Sequence, residues 1–158
     1  MRAISRKALC GAVCLLLISA AIASAAEVKF DKVEYMPPKV EGQKKSAEPV
    51  KGHLIFDKEK KAVEFQDTKS QTVVTIPYDK IKSVLYEKTS KPRYAEAVLI
   101  SPLFLFSKTK KHFLSIQYTD AKGAGAFCML HMDKSNASDI ANTAEAETGK
   151  SIERTEER

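Results

Sequence analysis

From residue 50 to residue 132 the apolar side chains recur at every second position in short runs separated by charged turns, the period of β-strands that bury one face. Leu54 and Phe56 share a face, the turn Asp57-Lys58-Glu59-Lys60 follows, and Val63 and Phe65 return on the next strand, which predicts a hairpin. A third strand is expected over residues 70–76 with Val74 and Ile76 inward, and a fourth over 81–87 after the turn Pro77-Tyr78-Asp79-Lys80. Residues 112–119 alternate again, with Leu114, Ile116 and Tyr118 on one face. A connection containing Gly123 and Gly125 leads to a last strand over 126–132, apolar on both faces and so in need of cover.

The period changes after residue 134. Ala137, Ile140, Ala141 and Ala144 fall at i, i+3, i+4 and i+7, which predicts a helix over 135–149 with one apolar face, and that face is the cover. Asn136 or Ser135 stands where an N-cap is needed, Asp139 suits the positive end of the helix dipole, and Gly149 can take the left-handed conformation that ends helices. Residues 150–158 are charged and read as a frayed tail.

Upstream of the alternating region the chain divides in two. Arg2, Arg6 and Lys7 precede an uncharged run that ends in Ala23-Ser24-Ala25, the pattern of a secretory signal peptide, so residues 1–25 are expected to be removed on export to the periplasm or beyond. Residues 26–49 read as a charged N-terminal segment. A short strand over 28–35 is allowed there by Val28, Phe30 and, after an interruption, Val33 and Tyr35. Pro37-Pro38 stops it, residues 42–49 have linker character, and the compact domain is expected to start near Val50.

Six or seven strands followed by one amphipathic helix is the element order of a small pleckstrin-homology-like antiparallel barrel, mainly β, with the C-terminal helix capping one end. Three strings are more specific: Gly52-His53-Leu54-Ile55-Phe56; Ile76-Pro77-Tyr78-Asp79-Lys80-Ile81-Lys82-Ser83-Val84; and Lys110-Lys111-His112-Phe113-Leu114-Ser115-Ile116-Gln117-Tyr118. They resemble exported bacterial proteins with pleckstrin-homology or GRAM-like domains. The resemblance covers residues 50–152 and implies a barrel opened by the first string, with the second as the turn before strand four and the third leading into a late strand. The sequence departs from lipid-binding members in lacking a basic motif with interspersed arginines in the first hairpin, so phosphoinositide recognition is not carried over.

One stretch stands apart. Residues 97–106, Ala-Val-Leu-Ile-Ser-Pro-Leu-Phe-Leu-Phe, are uncharged and too short to span a bilayer. Two readings fit: a buried strand bent at Pro102, or an apolar loop that docks on a membrane or a partner. With the adjoining basic group, the second reading makes Pro102, Phe104, Phe106, Lys108, Lys110, Lys111 and His112 a candidate interaction surface, to which Lys58, Lys60 and Lys61 of the first hairpin add charge.

Net charge weakens the case for nucleic acid. The whole chain carries a formal charge of +6, but three basic residues and no acidic ones lie in residues 1–25. A chain left at about +3, without a basic stripe interleaved with aromatics, points away from nucleic acid as a partner. No metal is expected, since His53, His112 and His131 are far apart in sequence, and no cofactor is implied. Cys128 is the one cysteine outside residues 1–25 and reads as a small buried hydrophobe. No pair of residues in the sequence announces a nucleophile and its base. The reading that results is a non-catalytic binding module of the cell envelope contacting an envelope protein or an anionic membrane surface, with an oligomeric assembly domain or a periplasmic enzyme as alternatives.

Overall fold

The computed structural model describes residues 27–38, 48–95 and 109–157; residues 1–25 and 97–106, with the expectations placed on them, lie outside these. The elements are β1 (Glu27–Met36), β2 (Val50–Asp57), β3 (Ala62–Asp67), β4 (Thr72–Pro77), a 3-10 turn (Tyr78–Lys80), β5 (Ile81–Thr89), β6 (Lys111–Thr119), β7 (Gly125–Met132), α1 (Ala137–Thr148) and β8 (Ile152–Glu156). Among the described residues these eight strands form one sheet in the order β4-β3-β2-β1-β7-β6-β5-β8. Every pairing is antiparallel except β5 with β8. Helix α1 touches β2 near one end of that order and β5, β6 and β8 at the other, so the sheet curls around a core that the helix closes. This is the mainly β, pleckstrin-homology-like arrangement expected, with eight strands in place of six or seven.

The core follows the alternation in the sequence. Leu54, Phe56, Val63, Phe65, Ile76, Leu114 and Ile116 are buried together, and Ala137, Ile140, Ala141 and Ala144 of α1 complete the cluster. Gly149 ends the helix at φ 65°, its N–H donating to the Glu145 carbonyl. The start of the helix differs from expectation. Asn136 makes no side-chain cap; its Nδ2 donates instead to the Asp31 carbonyl, while Asp133 Oδ1 accepts from Ser135 N at 2.9 Å in the preceding turn.

The expected boundaries need correcting at both ends. Residues 27–36 form the strand allowed over 28–35, and it belongs to the domain expected to start near Val50: β1 lies inside the sheet, pairing with β2 along both its halves and with β7 from Val33 onward. The interruption between Phe30 and Val33 is a β-bulge, with Lys32 at φ 56°. One extra residue restores the inward phase, so Val28 and Phe30 before the bulge and Val33 and Tyr35 after it all reach the same core. At the other end residues 152–156 form β8, not a frayed tail. Its attachment is a ladder to β5 that no local periodicity announces.

Candidate functional site

The bulge shapes a groove. Asp31, Lys32, Val33 and Glu34 of β1, Lys51, Gly52 and His53 of β2, Thr68 of the β3–β4 turn, and His131 and Asp133 at the end of β7 line an open cavity of about 520 Å³ on the sheet. Because Val33, Leu54 and Leu130 point into the core, their neighbours Glu34, His53 and His131 stand on the opposite, outer face. Gly52 lies between them because β3 approaches too closely for a side chain.

Two imidazoles in this groove are held by carboxylates. His53 Nδ1 donates to Asp31 Oδ1 at 2.6 Å, and His131 Nδ1 donates to Glu34 Oε2 at 3.0 Å. Both acids come from β1, and both bases from the strands that flank it. With Nδ1–H donated to a carboxylate, a neutral imidazole keeps Nε2 as an acceptor. The His131 ring also lies 5.6 Å from that of Phe113, which fixes its tilt. Asp133 is committed as well, accepting from Ser135 Oγ at 2.5 Å, and that hydrogen bond holds its carboxyl below the usual range. The imidazoles and carboxylates of the groove are therefore hydrogen-bonded within the chain. Among the described residues no three His, Cys, Asp or Glu side chains are placed to hold one metal ion.

Neither carboxylate–imidazole contact was announced in the sequence, and neither includes a nucleophile. Sequence separations of 22 and 97 residues hide the two pairs, which strand pairing brings together. The clue available was that Asp31 and Glu34 bracket the interruption in β1.

The residues proposed from the sequence fare differently. Pro102, Phe104, Phe106 and Lys108 lie outside the described residues. Lys110 donates from Nζ to the backbone carbonyl of Glu157. Lys111 is half-buried, and that burial pushes its ammonium pKa down. His112 shares a 2.7 Å hydrogen bond with the Tyr86 hydroxyl, and burial, reinforced by the Lys88 charge, lowers its pKa below the ordinary imidazole value. In the first hairpin Lys60 is bonded to both Asp57 (3.1 Å) and Glu64 (3.0 Å), and Lys58 to Glu147 at 3.2 Å. Only Lys61 of that trio is left without an ion pair among the described residues. Most of the basic surface expected there is neutralised internally.

A smaller cavity of about 290 Å³ is lined by Lys82, Tyr94, Gln117, Tyr118 and Phe127. Gln117 Nε2 donates to the Tyr94 hydroxyl at 2.6 Å, and Tyr94 lies 5.9 Å from Phe127.

The fold defines a mainly β domain, one eight-stranded sheet closed by a helix among the described residues. No family model matches the chain, and no curated protein matches it. Among solved structures the chain is similar to one in the structure of the Spt16D–Pob3N heterodimer, at 12% identity and a TM-score of 0.48, covering 84% of this chain. It spans 56% of the length of that chain. It is also similar to the hSac2 domain from human phosphoinositide phosphatase Sac2, at 14% identity and a TM-score of 0.49, covering 99% of this chain and 92% of the other.

Proposed function

We propose that this chain is an exported binding module of the cell envelope that works by contact, and that its partner is a protein. The observation that carries the reading is the groove across β7, β1 and β2, where two carboxylate-held imidazoles stand with Lys51, Lys32 and Thr68 around an open cavity of about 520 Å³. Polar groups fixed by neighbours on a rigid sheet suit recognition, because little side-chain freedom is lost on binding. A protein is favoured over an anionic lipid surface because Lys58, Lys60 and Lys110 are already engaged within the chain, and each lysine near such a surface is worth only about 1 kcal/mol.

The test is capture from an envelope extract by the chain lacking residues 1–25, followed by cross-linking to residues placed at Lys51 and Thr68. A partner retained by the parent and lost with His53→Ala and Lys51→Glu supports the reading. Equal retention by those folded variants, or binding only to anionic vesicles, overturns it.

The same geometry favours a second reading, since an imidazole oriented by a carboxylate is the base half of a nucleophilic site. That reading requires a hydroxyl or thiol hydrogen-bonded to the imidazole, and among the described residues none is bonded to His53. Covalent labelling of the groove by a serine- or cysteine-directed probe, abolished by His53→Ala, would favour it over contact alone.

A further inference from the structure

Strand β8 has an unusual footing. Among the described residues it is the one strand paired in parallel, added to the edge of β5 by a connection of only three residues after α1. Of its five residues only Ile152 is buried. Beyond the ladder, its carboxylates meet cations and donors around the start of the 89–93 loop. Glu153 pairs with Arg93 at 2.9 Å and Glu156 with Lys88 at 3.4 Å. Past the end of the strand, the Glu157 carboxylate accepts from Ser90 N at 2.9 Å, Thr89 Oγ1 at 3.0 Å and Ser90 Oγ at 3.1 Å, while Glu157 N donates to the Lys88 carbonyl at 3.0 Å. Lys110 Nζ donates to the Glu157 carbonyl.

These contacts describe an acceptor site: a strand edge with an aliphatic seat at Val84 and a cluster of Lys88, Arg93, Lys110 and backbone and hydroxyl donors at its far end. Its chemistry selects an extended segment with an aliphatic residue first and carboxylates one, four and five positions later. Arg154, two positions after Ile152, turns to α1, where its guanidinium donates to Asn142 Oδ1 at 2.9 Å and pairs with Glu145 at 3.4 Å. Strand addition draws its affinity from the main-chain ladder and its specificity from such side-chain contacts. The resident strand is weakly held, because it buries one side chain and its ion pairs join exposed groups, which are worth little each and are screened by salt. Short edge elements of this kind open ahead of the rest of a domain.

We propose that the edge of β5 is a strand-acceptor site, that β8 is its resident occupant, and that an acidic extended segment of a partner protein replaces β8 there. This gives the chemistry of a protein partner at a second surface, and it stands whether or not the groove binds.

The probe is a fluorescent peptide with the sequence of residues 151–157, added to the chain from residue 26 to its end. Ile152→Asn, which loosens the resident strand, should raise peptide affinity at least tenfold over the parent. Adding Arg93→Glu to that variant should remove the gain. A peptide carrying Glu153→Gln, Glu156→Gln and Glu157→Gln should bind at least tenfold more weakly than the acidic one, and 0.5 M salt should weaken the acidic peptide on the order of tenfold. No binding by a folded Ile152→Asn chain, or equal binding of the neutral peptide, overturns the proposal. Hydrogen exchange on the parent gives a readout that does not depend on the variant folding. The amides of β8 should exchange at least tenfold faster than those of β6 and faster still with excess acidic peptide, and equal protection of the two strands also overturns it.

Discussion

A side chain at Gly52 would place its Cβ 1.9 Å from the carbonyl oxygen of Gln66, on the neighbouring strand β3. The obstacle is backbone, with the Phe65 ring at 2.8 Å beside it, so relief requires β2 and β3 to separate. Gly52→Ala should therefore destabilise the domain by about 1–3 kcal/mol, the usual cost of overpacking. Urea unfolding should show a lower midpoint at an unchanged slope.

Ile140 is fully buried where α1 meets the sheet. Ile140→Ala removes that contact and leaves a cavity, for an expected loss of about 2–5 kcal/mol. Lys122→Ala, in the exposed β6–β7 turn, should stay within about 0.5 kcal/mol. Equal unfolding midpoints for the two variants would show that the helix does not close the core.

Acid should unfold the protein in two stages. Burial and the Lys88 charge lower the His112 pKa below the ordinary imidazole value, so the unfolded chain takes up this proton first, and stability falls as pH drops below about 6.5. Three carboxylates lie below their ordinary range: Asp57 through the Lys60 N–H, Asp133 through the Ser135 hydroxyl, and Glu157 through the Ser90 N–H. The stability they contribute is complete above about pH 4.5 and is lost as pH falls through their folded values. Urea midpoints between pH 7 and pH 3 should show a shallow decline followed by a steeper one. Glu157→Gln should reduce only the second.

Burial pushes the Cys128 thiol up to about 12. The native protein should resist iodoacetamide at pH 8, and Cys128 should be alkylated within minutes in denaturant, as mass spectrometry of its peptide would show. Labelling of Cys128 in the folded chain would place it in an open position.

Expression with residues 1–25 intact should yield an exported chain that begins at Ala26. The mass of the recovered N-terminus is the measurement. A chain retaining residues 1–25 in the envelope would exclude a freely released module, whereas cleavage one residue later would leave the reading intact.

Strands β2 to β7 and helix α1 were legible because each buries one face against a single core, and burying one face imposes a period of two on strands and of 3.6 on a helix. The Asp57 turn was legible for a local reason too, since its carboxylate accepts from Glu59 N and Lys60 N two and three residues on. Strand β1 was half-legible: its alternation breaks at Lys32, and a one-residue phase shift looks the same in sequence whether it marks a bulge or a linker. Strand β8 carries no alternation, because four of its five residues face solvent.

The sequence by itself determined which side chains turn inward, where the helix begins and ends to within two residues, and that the domain is mainly β. Those features depend on neighbours two to four residues apart, whose spacing is set by backbone geometry. The tertiary structure decided the neighbours: that β1 lies between β2 and β7, that Asp31 meets His53 and Glu34 meets His131, and that the last residues close the edge of β5. Each of these joins positions 15 to 99 residues apart, from Tyr35 with Val50 to Val33 with Met132, and which distant strands pair is settled by the closure of the whole core around α1, which no local pattern encodes.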